Sequence, residues 1–255
     1  MTKKPNSLAL AKKWAIKNKL NGPQAFLRYV MFHFVEKLSE TSDDFVFKGG
    51  NLLWVYIATP RATIDLDFVT LRNKSDETIK SILQKACAGS EDIEFKLIRY
   101  KSIIQQDKTG ANAVIEYQTD QGARNQFELD IVFAVETDTL EINSPVNEEK
   151  SILSASIENI VADKLSACHR FAAGNTRMKD YDDLWRLCKS EVRIDGTKLK
   201  TLAKYRSIPL SIDLNWIGAD LERMWKSHRR RYQDLPEEIE TVFDEINVWI
   251  KERVK

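Results

Sequence analysis

Asp65 and Asp67 are one residue apart and alternate with Ile64, Leu66 and Phe68, the period-2 pattern of a half-buried strand with both carboxylates on one face. Two acids this close repel each other unless a cation neutralises them, so the pair is a candidate holder of divalent ions. Taken alone, a D-x-D reads better as a solvated strand face, because the spacing arises often by chance. Two neighbours change that balance. Lys48-Gly49-Gly50 precedes the pair across one short helix. A glycine turn that opens a helix is either an ordinary tight turn or a cradle whose N–H groups and positive dipole end receive a phosphate. Asp130 lies in the run Phe127–Phe133, where Glu128 and Asp130 share one face while Phe127, Leu129 and Ile131 take the other. A second strand thereby supplies a third carboxylate. Strand, Gly-Gly turn, helix, D-x-D strand and a later strand acid form the layout needed to hold two Mg²⁺ ions, about 3.5–4 Å apart, around a nucleoside triphosphate.

These residues need elements to position them. Apolar residues recur at helical spacing from Ser7 to about Leu38, and Asn21-Gly22-Pro23 divides the stretch into two helices. Phe45-Val46-Phe47 is a short strand that ends at the glycines, and Leu52, Leu53, Tyr56 and Ile57 carry the helix that follows, stopped by Pro60. A helix is expected over about 75–88, with strands near 94–100, 112–118 and 126–133. Pro145 and the polar stretch Asn147 to Lys150 mark a change, after which helical patterns take over at about 157–173, 179–189, 197–202, 213–230 and 236–253. The expectation is an α+β chain. An α/β domain with N-terminal helices and a mixed sheet spans 1–150, and a helical domain spans 151–255.

Composition bounds the function classes. The chain has 255 residues, 43% of them hydrophobic, with 39 Lys and Arg against 38 Asp and Glu. A net charge of +1 gives no overall field for nucleic acid, so any polyanion site is a local patch. Candidates are Lys198, Lys200, Lys204 and Arg206, and Lys226 with Arg229, Arg230 and Arg231, although such runs are usually solvated helix faces. Cys87, Cys168 and Cys188 are too dispersed for a disulfide framework or a structural zinc site, which points to a reducing cytoplasm. His33, His169 and His228 form no ligand spacing, and no run is long enough to span a membrane or serve as a signal peptide.

Lys48-Gly49-Gly50 followed by Arg61-Ala62-Thr63-Ile64-Asp65-Leu66-Asp67-Phe68 resembles the KGG…R-x-[ST]-x-D-x-D-F block of the AbiEii-type nucleotidyltransferase toxins. These belong to the DNA-polymerase-β-like nucleotidyltransferase superfamily and include the mycobacterial MenT toxins. Asp163-Lys164-Leu165 and Arg177-Met178-Lys179-Asp180-Tyr181-Asp182-Asp183-Leu184 are similar to the family's later [DE]-K and R-x-K-D-x-x-D-L motifs. The resemblance spans about residues 48–187. Asn51 stands where the family has a small hydroxyl residue after the glycines.

The resemblance implies a polymerase-β-like fold and a Mg²⁺-dependent nucleotidyltransferase, the toxin of a bacterial toxin–antitoxin or phage-defence (abortive infection) pair, with a cognate antitoxin and the 3′ end of tRNA or another RNA as acceptor. It assigns Asp65, Asp67 and Asp130 to the metals, and Lys48, Gly49, Gly50, Arg61, Thr63 and Lys164 to the triphosphate. Lys164 and Asp180 join the catalytic group as a phosphate clamp and a general base or its orienter. The residues leave other readings open. Lys164 interrupts an apolar helical run and equally suits a lysine that snorkels to solvent, and Arg61 equally suits a loop arginine. Asp180 in a first helical turn complements the dipole, and with Asp183 is expected on a face opposite the packing stripe of Met178, Tyr181, Leu184, Trp185 and Cys188. Rival functions are a transferase acting on a small molecule or protein, and a catalytically silent module that binds a nucleotide or antitoxin in the same cleft.

Overall fold

The computed structural model describes residues 6–89, 92–105 and 108–255. The chain divides into two compact units. The first takes it as far as Val55 and again from Pro60 to Ala155, and the second takes Tyr56–Thr59 and Ser156–Lys255.

The first unit is built on one seven-stranded sheet. Helices α1 (Ser7–Lys17) and α2 (Gly22–Thr41) lead into β1 (Phe45–Lys48), α3 (Gly49–Ile57), β2 (Asp65–Thr70) and α4 (Asp76–Cys87). Strands β3 (Ile93–Gln105), β4 (Lys108–Thr119), β5 (Arg124–Phe133), β6 (Thr139–Asn143) and β7 (Ser151–Ala155) follow, and the order across the sheet is β3-β4-β5-β2-β1-β7-β6. The sheet is mixed, as expected. β2 runs parallel to β5 and β1 parallel to β7, while β1–β2, β3–β4, β4–β5 and β6–β7 are antiparallel.

Strand alternation gives this sheet two different faces. Phe47, Phe68, Phe95, Tyr117, Phe127, Leu129 and Ile131 are buried on one of them. There α2 brings Phe34 to 5.3 Å from Phe95 and 5.5 Å from Phe127, ring centre to ring centre, and Phe32 to 6.1 Å from Phe47. Aromatic pairs at these separations are worth about 0.5–1.5 kcal/mol beyond the area they bury. The other face carries Lys48, Asp65, Asp67, Glu128, Asp130 and Asn112, because each is paired in register with a neighbour of the same parity.

The hairpin of β6 and β7 was not legible in the sequence. Pro145 and the polar residues after it read as a boundary, yet they form its turn: Ser144 N–H donates to Lys150 O at 2.8 Å and Lys150 N–H to Asn147 O at 3.0 Å. The strand β7 then pairs with β1 at Phe47↔Ser154.

The second unit is helical. Its helices are α5 (Ile157–Phe171), α6 (Met178–Lys189), α7 (Gly196–Tyr205), α8 (Ala219–Arg229) and α9 (Ile239–Arg253). Ser156 caps α5 by accepting from Asn159 N–H, and Asp195 caps α7 by accepting from Thr197 and Lys198. Tyr181 of α6 and Phe243 of α9 stand 4.8 Å apart, ring centre to ring centre. The single helix expected over 213–230 is instead a 3₁₀ turn, Leu214–Trp216, followed by α8. Asp213 accepts from Asn215 N–H to close that turn, and Gly218 is extended (φ −162°, ψ 174°), so the helix restarts after it.

Gly110 of β4 has no room for a side chain. A Cβ there would stand 2.3 Å from the carbonyl oxygen of Ile131 on β5, one residue pair from Asp130. Gly110→Ala should therefore lower stability by about 1–3 kcal/mol, read as a drop in thermal midpoint, since backbone rather than a flexible side chain must move.

Candidate active site

Lys48 of β1, Asp67 of β2, Asp130 of β5 and Asn112 of β4 are successive partners across four strands. Directly paired residues point to the same face, about 4.8 Å from strand to strand, so the four side chains form one polar row. Asp65 and Glu128 form the next row of that face. The structure thus places Asp65, Asp67 and Asp130 on one face of two adjacent strands. Asp130 accepts from Asn112 Nδ2 at 2.9 Å, which fixes one of its oxygens. Glu128 pairs with Arg99 at 3.1 Å on an exposed part of the face.

The glycine turn sits against this row. Gly49 has φ +77°, a conformation that glycine adopts without strain. A Cβ on Gly49 would lie 1.9 Å from Asp67 Oδ2, so only a residue without a side chain lets the carboxylate pack over the turn. Gly50 is equally constrained, since its Cβ would meet Arg61 Nη2 at 2.5 Å and Thr63 Oγ1 at 2.7 Å. The turn, the arginine and the threonine of the sequence motif are therefore one local structure. Thr63 precedes β2 and is buried, and its Oγ1 has no hydrogen-bond partner.

Two residues that were assigned no role from the sequence organise this turn. Asn51 is buried, donates from Nδ2 to Asp65 O at 2.7 Å, and accepts from Arg28 Nε at 3.1 Å. It therefore ties the start of α3 to the backbone of the acid strand. Arg28 of α2 is buried, donates from Nη2 to Arg61 O at 3.3 Å, and lies 4.7 Å over the Trp54 ring. Burial and then the Arg61 charge lower its pKa to about 10. The signal for Arg28 was a lone cation inside the apolar run Phe26, Leu27, Val30, Met31.

The donor set suits a hard divalent cation, which prefers carboxylate oxygens. Asp65, Asp67 and Asp130 sit at neighbouring register positions on one face, and the space over Gly49 is what allows Asp67 its place. Among the described residues, no group of three or more His, Cys, Asp or Glu side chains is already gathered into a metal cage. Residue types and backbone register therefore fit the ion, and the carboxylates have to rotate to converge on it.

In the second unit, Lys164 of α5 is buried and its Nζ donates to Asp183, and at 3.5 Å to Asp180, both on α6. Arg177 Nε donates to Asp180 Oδ2 at 2.8 Å. The face of α6 expected opposite the packing stripe is itself covered: Asp180 and Asp183 are buried, and so is Asp182. Each lies beside a cation, Asp182 beside Arg186 at 2.6 Å, and His228 Nε2 stands 2.8 Å from the other oxygen of Asp182. Asp163 is bound by Arg206 at 2.9 Å.

A family profile described as "Nucleotidyl transferase AbiEii toxin, Type IV TA system" matches residues 32–246. No curated protein matches the sequence significantly. Among solved structures, a Helicobacter pylori protein provisionally described as a nucleotidyltransferase is 18% identical, with a TM-score of 0.55 over 92% of this chain and 96% of that one. JHP933 from Helicobacter pylori is 19% identical, with a TM-score of 0.56 over 92% and 93%. At these identities the likeness is one of fold.

Two substitutions should separate geometry from charge. Gly49→Ala forces a Cβ into Asp67 and strains a positive φ, so it should lower both the thermal midpoint and nucleotide transfer, whereas Asp67→Asn should abolish transfer at an unchanged midpoint. Lys164→Met leaves buried carboxylates short of a cation and should cost about 3–5 kcal/mol, a loss that Asp183→Asn in the same chain partly recovers.

Proposed function

The chain belongs to the AbiEii family of nucleotidyltransferase toxins of type IV toxin–antitoxin systems, and on that premise we propose a Mg²⁺-dependent transferase that joins the nucleotide of a nucleoside triphosphate to the 3′ end of an RNA, tRNA foremost. The observation that carries this reading is the register that sets Asp67 opposite Asp130, with Asp65 on the same face, beside a glycine turn bordered by Arg61 and Thr63. The family implies an antitoxin partner. No described helix is long and apolar enough to cross a membrane, and the toxin is read as acting in the cytoplasm, as part of an abortive response to phage.

In this mechanism Asp65, Asp67 and Asp130 would hold the Mg²⁺ ions, which, when bound, supply charge neutralisation and a more acidic acceptor hydroxyl. The glycine turn receives the triphosphate. Backbone N–H groups at Gly49 and Gly50 open α3 toward it, and the Arg61 guanidinium and Thr63 hydroxyl pack against Gly50. Lys48, in the row with Asp67, adds a cation at the end of β1. The acceptor hydroxyl attacks the α-phosphorus, the bond to the β-phosphate oxygen breaks, and pyrophosphate leaves with its charge stabilised by the donors of the turn. Arg61 would contribute there, because its fork matches phosphate oxygens. The family pattern also gives Lys164 and Asp180 a role in the reaction, so a Lys164→Met/Asp183→Asn chain with recovered stability should remain inactive.

An RNA acceptor needs a basic surface, and α8 offers one. Lys226 and Arg230 are exposed and border two surface depressions of about 470 and 460 Å³, shared with Arg229, Gln233 and Glu237 on one side and with Arg223, Glu222 and Ser227 on the other. Arg229 is partly committed to the fold, since its Nε donates to Leu235 O at 3.0 Å.

The test incubates the protein with Mg²⁺, total tRNA and each labelled nucleoside triphosphate in turn. Label should stay on the RNA 3′ end with one or a few of the nucleotides and vanish with a chelator; label on protein or small molecules alone would contradict the RNA acceptor. Lys226→Gln/Arg230→Gln should raise the acceptor KM several-fold at low salt, converge on the parent at high salt, and leave kcat nearly unchanged.

A further inference from the structure

Strand β3 continues the polar row past Asn112. Lys101 is paired with Asn112, which is paired with Asp130, so Lys101 stands on the acid face two strands from Asp130, about 10 Å away. Arg99 is paired with Val114 and through it with Glu128, and Lys96 with Glu116 and through it with Gln126. Three cations of β3 therefore share the face that carries Asp65, Asp67 and Asp130. Regular alternation would not allow this, because Lys96 and Arg99 are an odd number of residues apart. A bulge does. The register shifts between Leu97 and Arg99, Ile98 is left without a partner on β4, and Arg99 and Lys101 are turned to the side of Lys96.

Lys96, Arg99 and Lys101 are all exposed, and so is Asp130. The opposite face of β3 is the one α4 covers, since Tyr100 donates to Asp76 at 2.7 Å and Ser102 donates to the other oxygen of that carboxylate. Arg99 pairs with Glu128 at 3.1 Å and Arg124 with Glu116 at 2.6 Å, so the acids nearest this edge are already neutralised. Lysines and a bulge on an edge strand also discourage pairing with another sheet, but that use is indifferent to the face the side chains take. Their gathering on the acid side calls for a different cause. The sheet order supplies one: β1 and its glycine turn flank the acid strands β2 and β5 on one side, and β4 and β3 flank them on the other. The turn side is assigned to the nucleotide, which leaves the β3 side for the second substrate.

We propose that Lys96 and Lys101, with the Arg99–Glu128 pair between them, form a track for the sugar–phosphate backbone of a single-stranded RNA 3′ end whose terminal hydroxyl lies at Asp130. The inference rests on the nucleotidyl-transfer reading and adds to it the path by which the acceptor enters. The two lysines are five residues apart along β3, about 15 Å, so they meet phosphates of different nucleotides and suit an extended polyanion rather than a compact one. Arg99 keeps Glu128 from adding a further uncompensated acid to the path. Contacts of this kind position a strand and carry no sequence information, so the track takes a 3′ end of any sequence. It also differs from the α8 surface in what it reads. A short RNA without a folded body needs only the track.

The test measures transfer to total tRNA and to a short single-stranded RNA with a free 3′ hydroxyl. Three full-length proteins are compared: the parent, Lys96→Gln/Lys101→Gln, and Lys80→Gln/Lys85→Gln, which removes the same charge from exposed positions of α4. In the β3 variant the acceptor KM should rise about five- to tenfold at low salt for both RNAs, with kcat and the nucleotide KM within about twofold of the parent. Its dependence of log KM on log salt should be shallower by about 1.4, two phosphate contacts at about 0.7 each on a single strand. Binding of the short RNA without nucleotide, followed by fluorescence anisotropy, should weaken by the same factor, and the α4 variant should match the parent throughout. An unchanged acceptor KM in the β3 variant, an equal loss in the α4 variant, or a rise in the nucleotide KM instead overturns the track and leaves the transferase reading intact. No transfer by the parent to any RNA overturns both.

Discussion

The site depends on a missing side chain. Asp67 packs so close over Gly49 that a Cβ would fall 1.9 Å from its carboxylate oxygen, and Gly49 also holds a positive φ. Both conditions exclude other residues from that point of the chain. What they secure is a strand-to-helix turn in direct contact with an acid of the neighbouring antiparallel strand. The next glycine repeats the constraint with Arg61 and Thr63 in place of the acid. A glycine turn that opens a helix and a face that carries carboxylates are thereby joined within one local structure, whose parts are far less separated in space than their number of residues suggests.

The sheet makes this arrangement stable enough to be useful. Its buried face gathers Phe47, Phe68, Phe95 and Phe127 beneath α2, and that packing fixes the register of β1, β2 and β5. A slip of one residue would turn Asp65, Asp67 and Asp130 into the aromatic layer and Leu66 and Phe68 into water, so hydrophobic burial holds the acids in place. Like charges concentrated on one face are unfavourable on their own. The site tolerates them because it is assembled by contacts elsewhere, among them Asn51 bridging Arg28 to the backbone of Asp65. In the second unit the same problem is solved differently: Asp180, Asp182 and Asp183 are all buried, each beside its own cation.

Much of this was legible in the sequence, for definable reasons. Period-2 alternation around Asp65, Asp67 and Asp130 encodes face directly, and the glycine pair before an apolar helical run encodes the turn. The α+β class and the mixed sheet followed from the same patterns. Contacts that depend on three-dimensional closure were not legible. Asn51 looked like a departure from a family pattern, and only the fold shows it holding two elements together. Arg28 lay in a helix whose apolar neighbours drew the attention. The β6–β7 hairpin was hidden because Pro145 and its polar neighbours suit a linker as well as a turn. The burial of Asp180 and Asp183 depends on Lys164 arriving from another helix, which helical periodicity within α6 cannot report.

The central claim is that carboxylates from β2 and β5 act together on one group of divalent ions next to the glycine turn. The most direct measurement is a Mn²⁺ titration followed by electron paramagnetic resonance, in the presence of a non-hydrolysable nucleoside triphosphate, comparing the parent with Asp130→Asn. The account predicts tight, saturable Mn²⁺ binding in the parent and at least a tenfold weakening in Asp130→Asn, because the substituted residue faces Asp67 across the two strands. Mn²⁺ binding that is absent from the parent, or unchanged in Asp130→Asn, would contradict it.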